Sequence, residues 1–218
     1  TFHLQAGGSL SLSGPDPGAE ADEVRYDPRV GRCAGMWGGG PTVPSWSLPL
    51  DQRLDEALSL CYTTEAFEDG IVLGGKPVAE LWVSTTAAKT ATIALKLSDV
   101  NPVTGVSSLI TKSSLNLSHR HSHVTPSPLP KHNGEVMRVV IELLDCSYRV
   151  LPGHRLRLAV SGGCLLNLWP SPEPAVHTIH RGEQYPSVLV LPVLPPPAVT
   201  APRPTVRLLP PADAGDFV

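Results

Sequence analysis

A chain of 218 residues with 41% hydrophobic side chains is long enough to bury one core, and its 24 prolines and 19 glycines leave little room for long helices. Lys and Arg number 17 against 20 Asp and Glu, a net charge of −3 with no basic stripe, so nucleic acid is not an expected partner. The most apolar stretch, Val188–Val193, is too short to span a bilayer, so no membrane partner is expected.

In chain order, Gly31–Ser47 is rich in Gly, Pro and Trp and is expected to form a long irregular loop. Asp51–Leu60 is the one segment that could pass for a short helix. From there the period is that of strands. In Val78–Thr85, Ala79, Leu81 and Val83 alternate with Glu80, Trp82 and Ser84; in Thr92–Ser98, Ile93, Leu95 and Leu97 alternate with Ala94 and Lys96. Val136–Leu143 places Met137, Val139, Ile141 and Leu143 opposite Arg138 and Glu142, and His154–Ser161 places Leu156, Leu158 and Val160 opposite Arg155 and Arg157. Successive strand side chains point to opposite faces, so each segment has one core face and one wetter face. Asn101-Pro102, Thr104-Gly105, Asn133-Gly134 and Pro152-Gly153 are turn signals between strands. Short antiparallel strands joined by Pro/Gly turns predict an all-β sandwich over residues 1–194, with 195–218 as a proline-rich linker or tail.

Chemistry-bearing motifs are sparse. The chain has no G-x-S-x-G elbow, no G-x-x-x-x-G-K-[ST] phosphate loop and no H-E-x-x-H pair, so no catalytic residue and no cofactor are assigned. Asp99 and Asp145 fall near strand ends, where turn-forming Asp is commonplace. Asn116-Leu117-Ser118 is a glycosylation sequon that would matter only in a secreted protein. His119, His121 and His123, at spacing two, would project from one strand face within reach of a metal; with no acidic or thiol partner nearby, a polar strand end is the preferred reading and no metal is assigned. His177 and His180 pose the same question with the same answer. Cys33, Cys61, Cys146 and Cys164 form no C-x-x-C pair and are read as free thiols, which points to a reducing, cytoplasmic compartment.

Five stretches, in this order, resemble a known family: Asp51-Gln52-Arg53-Leu54-Asp55-Glu56-Ala57 with Leu60-Cys61-Tyr62-Thr63-Thr64; Gly75-Lys76-Pro77-Val78 running to Trp82-Val83-Ser84; Lys96-Leu97-Ser98-Asp99-Val100; Pro152-Gly153-His154-Arg155-Leu156-Arg157-Leu158 running to Ser161; and Pro186-Ser187-Val188 running to Leu191-Pro192-Val193. The pattern is similar to the C-terminal non-catalytic domain of X-Pro dipeptidyl-peptidase and cocaine-esterase-type α/β-hydrolases. Thr90-Ala91-Thr92 and Ser161-Gly162-Gly163 depart from it, where relatives carry acidic and hydroxyl groups.

The resemblance implies a jelly-roll sandwich shaped like galactose-binding domains, non-catalytic itself, packed against an upstream α/β-hydrolase domain of the same chain and able to join homo-oligomer contacts. Trp82, His119, His121, His123 and Trp169 are the candidate interface residues; the Trp169-Pro170 loop is stiffened by Pro172 and Pro174. The rival reading is a carbohydrate- or other ligand-binding module. It requires two coplanar exposed aromatics from among Trp37, Trp46, Trp82 and Trp169, beside polar groups.

Overall fold

The computed structural model describes residues 1–35, 48–130, 134–165 and 167–195. Trp37, Trp46, most of the irregular loop at 31–47 and nearly all of the tail at 195–218 lie outside the described residues.

The strands are β1 (Phe2–Gln5), β2 (Ser9–Ser11), β3 (Glu20–Arg25), β4 (Leu60–Thr64), β5 (Ile71–Gly75), β6 (Val78–Thr85), β7 (Thr92–Val100), β8 (Ser107–Asn116), β9 (Met137–Glu142), β10 (Cys146–Val150), β11 (Arg155–Ser161), β12 (Val176–Arg181), β13 (Val188–Val190) and β14 (Val193–Leu194). The one α-helix described, α1 (Arg53–Glu56), is a single turn inside the segment that could pass for a helix. Hydrogen bonding runs β3-β12-β6-β13-β1-β2-β4-β11-β7-β8, with β9 on the second edge of β6, and β10-β5-β14 form a separate small sheet. All pairs are antiparallel except β2 with β4.

β6 is the organising strand. Its Val78–Glu80 half pairs with β13 and its Trp82–Thr85 half with β12, end to end along one edge, while β9 takes the other. The predicted alternation is realised here: Ala79, Leu81 and Val83 are buried, and across the ladder so are Met137, Val139 and Ile141. Leu95, Leu97, Leu156 and Leu158 of β7 and β11 join them in one core cluster, so the two halves of the hydrogen-bonded path face each other as layers of a sandwich. Each such leucine contributes roughly 1.5–3 kcal/mol of burial. The β7–β8 turn forms as its sequence predicts, because the Asn101 side-chain oxygen accepts from the Val103 and Thr104 amides (2.9 and 3.1 Å) and Gly105 supplies a positive φ of 69°.

Two expectations fail. The face of β7 bearing Ala94, Lys96 and Ser98 is not wet; all three are buried, because a further layer of chain covers it. The three-histidine segment is not a strand. β8 ends at Asn116, whose side-chain oxygen accepts from the Ser118 amide (3.0 Å) and starts a 3-10 turn over Leu117–His119. That local hydrogen bond competes with the ladder and wins.

Candidate functional site

The layer over β7, β8 and β11 is built from three segments: residues 26–35, residues 48–56 and residues 164–165 with 167–171. Leu50 N–H donates to Cys33 O (2.9 Å) and Leu165 N–H to Val30 O (2.7 Å), which joins the three into one sheet of loops. Gly31 is required in it: at φ 104° a side chain would be strained, and its Cβ would overlap the backbone of Cys164 and Leu165.

Beneath the layer lie two lysines. Lys96 of β7 and Lys112 of β8 are cross-strand partners, both buried, and directly opposed like charges repel. The layer above supplies hydrogen-bond acceptors to both, and a charged one to Lys96. Lys96 Nζ donates to Asp55 Oδ2 at 2.7 Å, and the same oxygen accepts from the Gly31 and Cys33 amides (2.9 and 3.3 Å). Lys112 Nζ donates to the Ala34 and Gly35 carbonyls and, at 2.7 Å, to Asn167 Oδ1. Burial, with Lys96 adding to it, lowers the pKa of Lys112. Glu56, next to Asp55, accepts from Arg157 of β11 (2.8 Å) and from the Ser107 hydroxyl. The Gln52 amide donates to the Cys33 and Leu50 carbonyls (2.5 and 2.6 Å).

A second polar cluster sits at the C-terminal end of β7. His154 Nδ1 lies 2.8 Å from Asp99 Oδ1, and the Tyr148 hydroxyl donates to Asp99 Oδ2 (3.0 Å); burial first, then this carboxylate, pushes the Tyr148 hydroxyl up to about 12. Three of the five signature stretches are therefore joined: the 51–57 run meets the 96–100 run through Asp55–Lys96 and the 152–158 run through Glu56–Arg157, and those two runs meet each other through Asp99–His154. Asp55, Lys96 and Lys112 were not singled out as site residues from sequence. Asp55 and Lys96 fall inside signature stretches and Lys112 in none, and nothing local says that a strand lysine is buried.

The five candidate interface residues are not brought together as one cluster by any contact described. His119 packs its Nδ1 3.0 Å from Ser122 O, while His121 and His123 are exposed in the loop beyond. Trp82 is half-buried against Tyr185, with ring planes tilted by 49° and its indole N–H buried without an acceptor among the described residues. Trp169 is 94% exposed. Its loop is nonetheless fixed: Ser171 N–H donates to the Tyr26 hydroxyl (2.9 Å), and the Glu173 carboxylate accepts from the Lys89 and Thr90 amides (3.0 and 3.3 Å).

Of the other histidines, His177 is buried and its pKa is lowered to about 4 by desolvation, whereas His180 lies against Tyr185 and bonds the Ser84 hydroxyl at 2.9 Å. Among the described residues no three His, Cys, Asp or Glu side chains converge where a metal ion could sit. The four cysteines are free thiols, and burial raises the pKa of Cys61 to about 11. No helix among the described residues is long and apolar enough to cross a membrane.

An all-β sandwich with a polar-anchored outer layer is the class that fold and site define. The chain belongs to the family of the X-Pro dipeptidyl-peptidase C-terminal non-catalytic domain, whose profile matches residues 1–190. It is 32% identical over 204 residues to cocaine esterase of Rhodococcus sp. (strain MB1 Bresler), a match covering 85% of this chain and 34% of that protein. Among solved structures it is similar in fold to an α-amino acid ester hydrolase (TM-score 0.74, 23% identity, covering 88% of this chain and 36% of that one). It is also similar to an aminopeptidase from a marine sediment archaeon, Thaumarchaeota archaeon (TM-score 0.73, 20% identity, 89% and 36%). The chain thus spans about a third of the length of the proteins it matches.

Proposed function

We propose that this chain is the non-catalytic accessory module of a serine hydrolase of the X-Pro dipeptidyl-peptidase or ester-hydrolase type, and that it packs against an upstream α/β-hydrolase domain of the same polypeptide. The observation that carries this reading is the family match over residues 1–190, joined to a coverage of only 34–36% of hydrolases and a peptidase that are larger. On this reading residues 1–194 are one jelly roll shaped like galactose-binding domains, 195–218 is a linker or tail, and Trp82, His119, His121, His123 and Trp169 are partner-facing. The free thiols fit a cytoplasmic setting, and homo-oligomer contacts are open to the same surfaces. The ligand-binding alternative wants two coplanar exposed aromatics, whereas Trp82 and Tyr185 are tilted and half-buried and Trp169 stands alone among the described tryptophans in being fully exposed.

The test is a pair of assays on the chain and on its full-length parent. Neither aryl esters nor X-Pro dipeptide substrates should be hydrolysed by the chain above background, while the parent turns over one of them and takes up a fluorophosphonate on a single serine. Stoichiometric labelling of a serine in the 218-residue chain would overturn the proposal.

A further inference from the structure

On one side of the sandwich β8 and β9 are both edge strands: β8 pairs with β7, apart from a single bridge at Ser108, and β9 pairs with β6. The two edges meet at one end, where Leu144 N–H donates to Lys112 O (3.3 Å) and the Thr111 hydroxyl to Leu144 O (2.7 Å). Beyond that closure they part around a cleft of about 360 Å³, lined by Ser113, Ser114 and Leu115 of β8, Val140, Ile141 and Glu142 of β9, and His123. Backbone alternation says which groups face outward. Lys112 O points away from β7, so the N–H and C=O of Ser114, two residues on, point the same way. Leu143 N–H donates to Pro77 O on the β6 side (2.9 Å), so the backbone groups of Val140 and Glu142 face away from β6. No backbone partner of these outward groups exists among the described residues. An open edge is a template for another strand, and proteins commonly blunt it with charge. β3, at the end of the main hydrogen-bonded path, does so with exposed Glu20, Glu23 and Arg25. The cleft has no such guard: Ser113 and Ser114 are neutral, and Glu142 is already paired with Lys76 at 2.9 Å. Leu115 and Ile141 are buried there and Val140 is 45% exposed, so the cleft suits a neutral strand with apolar side chains turned inward.

We propose that residues 205–209 of this same chain occupy the cleft as an added strand, hydrogen-bonded to the free edge of β8 at Ser114. Thr205-Val206-Arg207-Leu208-Leu209 lie outside the described residues, and in sequence they form a run of strand length closed off by Pro204 and Pro210. Val206 and Leu208 share one face, to be set toward Leu115 and Ile141, with Thr205 and Arg207 on the other. The tether is long enough. β14 pairs with β5, β5 pairs with β10, and β10 begins at Cys146, just past the closed end of the cleft at Leu144. Two strand spacings and the length of β10 come to about 27 Å. Residues 195–204 span up to about 33 Å when extended. The family profile ends at residue 190, so this strand is an addition to the family's fold and does not depend on the accessory reading.

Hydrogen exchange on the 218-residue chain tests the assignment. The amides of residues 206–208 and of Ser114 should exchange at least about tenfold more slowly than unstructured peptides of the same sequence. Val206→Asp combined with Leu208→Asp should release both regions, whereas Ala212→Asp, beyond Pro210 and Pro211, should leave them protected. These positions lie outside the core described above, so the fold itself is not at stake in the variants. Exchange at the unstructured rate across 205–209 would overturn the proposal. Ser114 protection that survives the double variant would overturn it in favour of another occupant. Protection that grows with protein concentration would overturn it in favour of a second copy of the chain.

Discussion

Asp55→Ala is the most informative single change in this molecule. The side chain is completely buried, and its Oδ2 is shared by Lys96 Nζ, Gly31 N–H and Cys33 N–H. Truncation strands a lysine that is itself 2% exposed, opposite a second buried lysine, which costs about 3–5 kcal/mol. The two orphaned amides add to this at about 1–3 kcal/mol each before relaxation. A net loss of at least about 5 kcal/mol is expected, or a fall in Tm of at least about 10 °C for a domain of this size. The assay is chemical denaturation with a double-mutant cycle. Lys96→Met in the Asp55→Ala background removes the stranded charge and should recover at least about 2 kcal/mol. As a reference, Lys76→Ala breaks the exposed 2.9 Å pair with Glu142 and should cost less than about 1 kcal/mol. An Asp55→Ala loss below that of Lys76→Ala, or a double variant that falls by the sum of the singles, would refute the idea that the layer is held by this buried pair.

Three further outcomes are expected. Burial lowers His177 from 6.5 to about 4, so the unfolded chain binds a proton that the folded chain refuses; stability is full above about pH 6.5 and is lost as pH falls toward 4, by about 3 kcal/mol, and His177→Leu should flatten that limb in acid denaturation. Gly31→Ala, which forces a side chain into the backbone of Cys164 and Leu165 at positive φ, should cost more than about 2 kcal/mol by thermal melting, whereas Gly134→Ala, with open space around it, should cost about 1 kcal/mol. Metal analysis of the tag-free chain should find well under one equivalent of zinc, and a tight site lost in His121→Ala would contradict the placement of His119 in a 3-10 turn with His121 and His123 exposed beyond it.

Where one face of a strand meets the core and the other meets water, nearest-neighbour alternation records the difference. That is why Val78–Thr85 and Val136–Leu143 are legible as β6 and β9, with Ala79, Leu81, Val83, Met137, Val139 and Ile141 on the core side, although Ser84 on the expected wet side of β6 is buried as well. The all-β class, the β7–β8 turn and the signature runs were equally local properties of the chain. What the sequence by itself could not express is pairing across distance. Lys96 looks like a wet-face residue in its own strand, and only a carboxylate 41 positions earlier, brought over by the layer, makes its burial tolerable. The three histidines fit a strand period, yet the Asn116 side chain turns the backbone before they are reached. The 51–57 run was recognisable as a motif, but that it clamps an outer layer to β7 and β11 is a tertiary fact. Periodicity reports whether a side chain faces core or solvent when the second face is bare, and it falls silent once another layer of the same chain covers that face.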